Sequence, residues 1–214
     1  VEYRLVNDIG EDGDVILFHI DHVSPIRTHS NLYCIGGDSY DQNKAKTSKS
    51  KGAACVLVRR NTIEGCASML PAATICCRPN HKETFYEMCL KLAIFYLCDD
   101  KGHIVTPNAF LIDVANKLIF KYFEERGYAN LLAYRPRKFE SEHSEQTHTY
   151  GVHLNNHSKP LMVGLMQSGV DYYIKNIWFP ELINQLQNYD EVEIGSDNDL
   201  ADAYGIALMQ DVSM

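Results

Sequence analysis

The sequence lacks the features that mark several common classes of protein. It contains seven cysteines but no Cys-X-X-Cys pair, which argues against a structural zinc site of the usual kind. It has no run of about 18 apolar residues, so no segment is predicted to cross a membrane. It has no Gly-X-X-X-X-Gly-Lys-Ser/Thr segment, so no P-loop motor is predicted in it. Internal repeats and low-complexity tracts are also missing.

An excess of basic residues is missing as well. The 214 residues include 28 acidic and 20 basic side chains, which gives a net charge of −8. This balance argues against a broad surface that coats nucleic acid. It does not argue against a local DNA-cutting site, because a metal-dependent nuclease needs clustered carboxylates and only a few basic residues. The hydrophobic fraction of 45% is enough for the core of one large domain, with the cysteines as buried, reduced thiols.

The stretch from Leu32 to Asp41 organises the rest of the chain. It reads Leu-Tyr-Cys-Ile-Gly-Gly-Asp-Ser-Tyr-Asp, a short apolar strand that runs into two glycines and then the carboxylate of Asp38. Glycines at the end of a strand allow the backbone to turn and a bulky ligand to come close. A carboxylate held there can bind a divalent cation, provided that other carboxylates lie beside it.

Hydrophobic periodicity and turn residues predict the elements of the domain. We predict strands over residues 15–20, 32–37, 53–60, 72–77, 109–114 and 131–134. We predict helices over residues 81–97, 116–126, 158–174, 179–189 and 199–209. Residues 1–31 are expected to form a lead-in or linker to an upstream domain, together with the first strand, and residues 32–214 the main domain. Antiparallel strands followed by helix–strand–helix units predict an α/β fold, a mixed sheet flanked by helices on both faces.

Further acidic residues can join Asp38. Asp113 ends an apolar run, and Asp199 and Asp202 are three residues apart in the last predicted helix, where they share a face. If the strands that end at Asp38 and Asp113 are neighbours, their carboxylates lie side by side, and the last helix can lean on the same edge. Carboxylate oxygens suit Mg²⁺ or Mn²⁺. Two such ions about 3.5–4 Å apart can stabilise both the attacking and the leaving oxygen of a phosphodiester.

Each of these residues also has a simpler explanation. An Asp after a strand is commonly a turn or cap residue, and Asp199 fits a cap of the last helix. Asp113 is harder to explain in that way, because no Gly or Pro turn follows it. Residue types alone therefore leave a metal site and a set of structural carboxylates both open. Residues 135–157 are predicted to be a surface hairpin or loop, because they are polar without a clear period and no cysteine joins their four histidines, His143, His148, His153 and His157.

Five segments in order resemble the nuclease domain of a large terminase subunit from a tailed bacteriophage, with the resemblance covering about residues 14–214. They are Tyr33–Asp38, Phe110–Asn116, Gly151–Lys159 with the helix that follows, Phe179–Leu186 and Asp199–Ala203. The first two resemble the acidic strands of that family, and the last resembles its closing acidic element. No single segment is specific, but their order and spacing together are.

The resemblance implies a ribonuclease-H-like fold and a metal-dependent endonuclease that cuts concatemeric viral double-stranded DNA during genome packaging. It implies two Mg²⁺ or Mn²⁺ ions, with Asp38 bridging both, Asp113 holding one, and Asp199 or Asp202 holding the other. The third ligand stays open between these two residues, because Asn198 stands where the family often has the first Asp of its closing pair. Leu154 and Asn155 also depart from the family's threonines.

The same resemblance implies partners and a setting. It implies an upstream ATPase domain of the same polypeptide, the portal protein and the small terminase subunit as partners, in the host cytoplasm. The chain starts at Val1 without an initiator Met, and we expect it to be a piece of a longer polypeptide. Basic residues expected to hold the DNA backbone are Lys44, Lys46, Lys49, Arg59, Arg60 and Lys159. A solvated turn is the simpler explanation of the lysine-rich loop, whereas a solvated first-turn residue and a phosphate contact explain Lys159 equally well.

Two other functions remain open at this point. The first is another ribonuclease-H-like nuclease of the resolvase type, which would prefer branched to linear DNA. The second is a docking module of the packaging motor without catalytic activity, in which the carboxylates only cap turns and bind no metal.

Overall fold

The computed structural model describes residues 2–6, 15–19, 30–40, 50–59, 70–114, 117–140, 149–173, 177, 179–189 and 198–214. Its strands are β1 (Glu2–Val6), β2 (Val15–His19), β3 (Tyr33–Asp38), β4 (Gly52–Val58), β5 (Pro71–Cys77) and β6 (Phe110–Ile112). Its α-helices are α1 (Lys82–Leu97), α2 (Leu118–Glu125), α3 (Ser158–Tyr173), α4 (Pro180–Gln187) and α5 (Asp199–Asp211). Short 3₁₀ turns cover Ala129–Leu131 and Arg137–Phe139.

Six strands of the described residues form one mixed sheet in the order β1-β2-β5-β4-β3-β6. The antiparallel pairing of β3 with β4, which was predicted as a hairpin, is confirmed, and β4 pairs with β5 in the same way. β6 follows helix α1 in the chain. It pairs in parallel with β3, on the side of β3 that faces away from β4. The first part of the chain adds β2 and then β1 beyond β5.

Helices cover both faces of this sheet, as the sequence predicted. On one face, α1 and α2 pack through Phe85, Tyr86 and Phe123 against side chains of β3 to β6. On the other face, α3, α4 and α5 pack around Tyr204 and Phe179. Strand β4 is buried along its whole length because it contacts helices on both faces. No helix in the described part of the chain combines the length and apolarity needed to cross a membrane.

Helix α5 lies directly on β3 because Gly36 has no side chain. A Cβ at Gly36 would lie 2.2 Å from the carbonyl oxygen of Ala203 and 2.2 Å from the backbone nitrogen of Ala207. A Cβ at Gly37, on the opposite face, would lie 2.9 Å from the ring of Phe110. The two glycines were expected to admit a bulky ligand, but here they admit a helix backbone and an aromatic ring. All residues of α5 except Asp202 are buried as a result.

The structure differs from the sequence predictions in three further places. Residues 2–6 form a strand that was not predicted, so the predicted lead-in contributes two strands to the sheet. The predicted strand 109–114 is shortened to Phe110–Ile112. The predicted strand 131–134 is instead a 3₁₀ turn followed by isolated bridges at Leu132 and Tyr134. Because its neighbour β6 has only three residues, this segment has few backbone groups with which to build a ladder.

The cysteines behave as predicted. The described ones are free thiols, five of them buried and Cys76 half-buried. Burial raises the pKa of the Cys55 and Cys89 thiols, so both stay protonated and act as small apolar side chains. Cys66 lies outside the described residues.

Candidate metal centre

The ends of two parallel strands bring Asp38 and Asp113 together. β3 and β6 pair in parallel with Gly37 opposite Ile112, and the backbone N–H of Asp113 donates to the carbonyl oxygen of Gly37 at 2.9 Å. Side chains alternate along a strand. Asp38 therefore shares the α5 face with Gly36, whose missing side chain faces that helix. Asp113 follows β6 at the same end of the sheet, one residue beyond the pair that joins the strands.

Helix α5 places two more carboxylates at this end of the sheet. Its first residue, Asp199, is buried and accepts hydrogen bonds from Ser50 Oγ and from the backbone N–H of Lys51, both at 3.0 Å. Asp202 is partly exposed and accepts a 2.6 Å hydrogen bond from the hydroxyl of Tyr189. Asp199 thus ties the start of α5 to the start of β4. Asp202 lies one turn further along, with its carboxylate on the hydroxyl of Tyr189.

The charges of these groups act on one another. Burial and the neighbouring carboxylates of Asp202, Asp113 and Asp199, in that order, hold the pKa of Asp38 well above its usual value, and Lys159 opposes this rise. Burial also raises the pKa of Asp202, against the hydrogen bond from Tyr189 and the charge of Lys159. The strongest carboxylate effect on Asp38 comes from Asp202 and not from Asp199.

Lys159 supplies a positive charge near the carboxylates. It is the second residue of α3, and its ammonium group lies 6.0 Å from the centre of the Tyr189 ring. Its charge lowers the pKa of both Asp38 and Asp202. Lys159 is therefore close enough to these carboxylates for its charge to act on them, as the prediction of a role at the site requires.

The raised pKa values predict how stability depends on pH without metal. Between the usual Asp pKa and the raised values, the folded state binds more protons than the unfolded state. The free energy of unfolding should therefore rise as pH falls from neutral through the raised pKa values, with the gain complete below the usual value. Urea unfolding of the wild type and of Asp38→Asn in EDTA, from neutral to mildly acidic pH, measures this. The variant should show the smaller rise, and equal rises in the two proteins would contradict the assignment.

A buried glutamine, and not a residue of α5 itself, caps the start of that helix. Gln185 of α4 accepts hydrogen bonds from the backbone N–H groups of Leu200 at 2.8 Å and Ala201 at 3.1 Å. Asp199 was expected as a possible cap, but the structure gives its carboxylate to Ser50 and Lys51. Helix α4 therefore fixes the end of α5 that carries the acidic residues.

Replacing Gln185 by alanine should lower the free energy of unfolding by about 1–3 kcal/mol, because two buried N–H groups lose their acceptor. Gln187, exposed two residues later in α4, provides the matched control, and Gln187→Ala should change stability by less than about 0.5 kcal/mol. Urea unfolding of both variants measures the difference. Equal effects would show that the cap contributes nothing specific.

The donor set suits a hard divalent cation in its chemistry. Its groups are all carboxylates, whose oxygens Mg²⁺ and Mn²⁺ prefer. Among the described residues, no three side chains of His, Cys, Asp or Glu form a ready-made metal site. The carboxylate of Asp199 instead accepts hydrogen bonds from Ser50 and Lys51, and that of Asp202 accepts one from Tyr189. An ion here requires Asp38, Asp113 and Asp202 to turn toward a common point, and a bound cation favours this by offsetting their repulsion.

The other predicted DNA-binding residues are not brought to this centre by the described structure. Lys44, Lys46, Lys49 and Arg60 lie outside the described residues. Arg59 follows β4 at its far end, because Asp38 is opposite Ala53 whereas Tyr33 is opposite Val58. That separation is roughly 20 Å along the strand. The Arg59 Nε lies 3.5 Å from Oδ1 of the buried Asp211, so the structure gives Arg59 a role in anchoring the end of α5.

The sequence did not point to several residues that shape the centre. Ser50, Lys51, Gln185 and Tyr189 all reach it across large separations in the chain. The side chain of Lys51 also lies 3.3 Å from Glu181 at the start of α4. The spacing of residues within one helix or strand does not predict contacts between different elements. The only available signal was the Phe179–Leu186 segment, which contains Gln185 and is followed three residues later by Tyr189.

Comparisons with known proteins complete the description. No protein-family model matches the chain, and no curated protein matches it. Among solved structures, the chain is similar to the large terminase nuclease from thermophilic phage G20c. The two share 13% sequence identity, with a TM-score of 0.49 over 95% of this chain and 90% of that one. A likeness at this level does not assign the chain to a family, so a functional conclusion depends on the carboxylates themselves.

Proposed function

We propose that this chain is a metal-dependent endonuclease with a ribonuclease-H-like fold, which cuts double-stranded DNA. The observation that carries the proposal is the meeting of Asp38 and Asp113 at the ends of two parallel strands, with Asp202 of α5 acting on Asp38. The fold is supported by the strand pairing. Strands β3, β4 and β5 are antiparallel neighbours, and β3 also pairs in parallel with β6, the strand after α1.

Each residue of the centre has a role in this proposal. Asp38, Asp113 and Asp202 are the residues that would hold two Mg²⁺ or Mn²⁺ ions. Asp199 is a positioning residue, because both of its carboxylate oxygens already accept hydrogen bonds that fix the start of α5. When bound, the ions lower the pKa of a water molecule and stabilise charge at the phosphate.

Lys159 and Tyr189 complete the chemistry that the chain itself supplies. The ammonium group of Lys159 holds a phosphate oxygen of the DNA backbone without reading sequence. The hydroxyl of Tyr189 holds Asp202 while no ion is present, since their 2.6 Å hydrogen bond stabilises the charged carboxylate. Cutting is then largely independent of sequence and weakens as salt rises.

The setting of the reaction follows from the sequence resemblance. We propose that the chain cuts concatemeric viral DNA during genome packaging, as the nuclease part of a large terminase subunit. Its partners are then an upstream ATPase domain of the same polypeptide, the portal protein and the small terminase subunit. The reaction takes place in the host cytoplasm, at the procapsid.

Digestion of supercoiled plasmid tests the function. The purified chain is incubated with Mn²⁺, with Mg²⁺ or with EDTA, and on linear as well as branched duplexes. Nicking or linearisation with metal, and none with EDTA, supports the proposal. A strong preference for the branched duplex would point to a resolvase instead. No cutting together with no Mn²⁺ binding by calorimetry would leave the carboxylates as structural groups of a docking module.

Variants of Asp199 and Asp202 should have different effects, one on stability and the other on metal binding. Asp202→Asn is expected to weaken Mn²⁺ binding at least tenfold, roughly the loss seen when even an outer-shell partner is removed, while the fold remains stable. Asp199→Ala is expected to lower the free energy of unfolding by about 1–3 kcal/mol, because Ser50 and Lys51 lose their acceptor. Calorimetric titration and urea unfolding measure the two effects. Loss of Mn²⁺ binding in the Asp199 variant at unchanged stability would make Asp199 the third ligand.

A further inference from the structure

Three aromatic rings form a ladder from the core to the surface beyond β6. Phe120 of α2 is buried, and the ring centre of Tyr150 lies 5.9 Å from that of Phe120. The ring of Tyr134 stacks on Tyr150, with centres 4.9 Å apart and planes 20° apart. Tyr134 is nevertheless 46% exposed. One face of its ring rests on Tyr150, and a large part of the side chain remains in contact with solvent.

The backbone fixes this ladder in place. Tyr134 and Tyr150 are partners in an antiparallel bridge, and the N–H of Arg135 donates to the carbonyl oxygen of Thr149 at 2.9 Å. Gly151, which follows Tyr150, has a φ of +80°, and a Cβ there would lie 2.4 Å from the carbonyl oxygen of Ile112 in β6. The turn therefore requires glycine. An exposed ring held this firmly loses little conformational entropy when a ligand stacks on it.

The ladder is joined to the segment that pairs with Asp113. Val152 pairs in parallel with Asp113, and its N–H donates to the carbonyl oxygen of Ile112 at 2.9 Å. Tyr150 precedes Val152 by two residues, so at most about 7 Å of chain separates them. The ring of Tyr150 packs on the face of the sheet that carries α2, whereas Asp38 shares the face that carries α5. The exposed ring of Tyr134, stacked on Tyr150, is thus at the edge of the sheet near Asp113, on the α2 face.

Basic side chains follow the exposed ring. Arg137 and Lys138 lie in the 3₁₀ turn after Tyr134, and both are exposed. Among the residues that the structure describes, neither takes part in an ion pair, whereas Arg135 lies 3.8 Å from Glu140. In a chain with a net charge of −8, two exposed cations beside an exposed aromatic ring complement a phosphate backbone that carries bases.

We propose that Tyr134, supported by Tyr150, and the neighbouring Arg137 and Lys138 bind an unpaired strand of DNA at the edge of the sheet near Asp113, on the α2 face. A base stacks on the exposed ring, and the two cations hold adjacent phosphates, which is the combination used by single-strand binding grooves. The proposal rests on the proposed function for the choice of DNA as ligand. A cross-strand aromatic pair that only stabilises the turn would account for the stack but not for the exposed cations.

Binding in EDTA tests this surface separately from cutting. Fluorescence anisotropy with a labelled oligo(dT) and with a duplex of equal length gives affinities at several salt concentrations. Tyr134→Ala should weaken oligo(dT) binding by about tenfold, with little change for the duplex, whereas Tyr134→Phe should bind like the wild type. Leu161→Ala is the matched control, since Leu161 is 43% exposed but lies on α3. The double variant Arg137→Ala, Lys138→Ala should reduce the salt dependence by about one unit of slope per residue.

The outcomes separate this inference from the proposed function. Oligo(dT) binding that is absent in the wild type, or equal in Tyr134→Ala and Leu161→Ala, overturns the inference even if the chain cuts DNA with metal. A tenfold loss in Tyr134→Ala supports it even if no metal-dependent cutting is found. Thermal unfolding of each variant shows whether the turn has remained folded, and Tyr134→Phe keeps the comparison valid if Tyr134→Ala has not.

Discussion

Asp38→Asn is expected to abolish metal-dependent cutting of DNA while the chain remains folded. Asp38 ends β3 among the carboxylates of Asp113, Asp199 and Asp202, and all three raise its pKa. An amide keeps the shape of the side chain but removes the charge that attracts a cation. Loss of an outer-shell partner costs about 10–100-fold in metal affinity or activity, so loss of a direct ligand should cost at least a hundredfold. Plasmid digestion with Mn²⁺ measures the effect.

The same variant should be more stable than the wild type when no metal is present. Removing one of several mutually repelling carboxylates relieves the cost that the raised pKa of Asp38 reports. Addition of Mn²⁺ should then raise the unfolding temperature of the wild type but not that of the variant. Asp171→Asn, an exposed position near the end of α3, is the control and should cut normally. An Asp38→Asn protein that still cuts DNA would refute the assignment.

Gly36→Ala is expected to lower the stability of the chain strongly. The new Cβ would lie 2.2 Å from backbone atoms of Ala203 and Ala207, and backbone cannot move aside as a flexible side chain can. Overpacking typically costs 1–3 kcal/mol and sometimes more. We therefore expect a loss of about 3 kcal/mol or more, or roughly 10 °C in unfolding temperature. Displacement of α5 should also carry Asp202 away from Asp38 and weaken Mn²⁺ binding.

Gly164→Ala provides the control for this variant. Gly164 is exposed in α3, and a Cβ there would meet nothing within 4 Å. Alanine in the interior of a helix is favoured over glycine, so this variant should gain about 0.5–1 kcal/mol. Thermal and urea unfolding of both variants give the comparison. If Gly36→Ala proved as stable as the wild type, the close packing of α5 on β3 would be wrong.

Local signals in the sequence account for most of the elements. The unbroken apolar runs at Cys55–Val58 and Phe110–Ile112 predicted buried strands, and the structure confirms both. The spacing of Phe85, Met88, Leu92 and Phe95 predicted one apolar face of α1, and the structure buries all of these residues except Phe95, which is half-buried. The sequence predicted that Asp38 and Asp113 meet on the condition that their strands are neighbours, and the structure pairs β3 and β6 in parallel.

Contacts between distant parts of the chain account for what the sequence missed. The hydrogen bond from Cys34 to Ala207 shows that β3 packs on a helix more than 160 residues later in the chain. The residues around Gly36 do not predict this contact. The cap from Gln185 and the anchoring of Asp199 by Ser50 likewise depend on packing between elements. The sequence indicated that the last helix can lean on the acidic edge of the sheet, but it could not indicate that the backbone of this helix lies directly on Gly36.

Crystals soaked in Mn²⁺ and measured near the manganese absorption edge test the central claim most directly. The account predicts anomalous peaks bounded by Asp38, Asp113 and Asp202, with Asp202 turned from Tyr189 and Asp199 still bonded to Ser50 and Lys51. Well-ordered soaked crystals without a peak at this place, with every carboxylate on its metal-free partners, would contradict it.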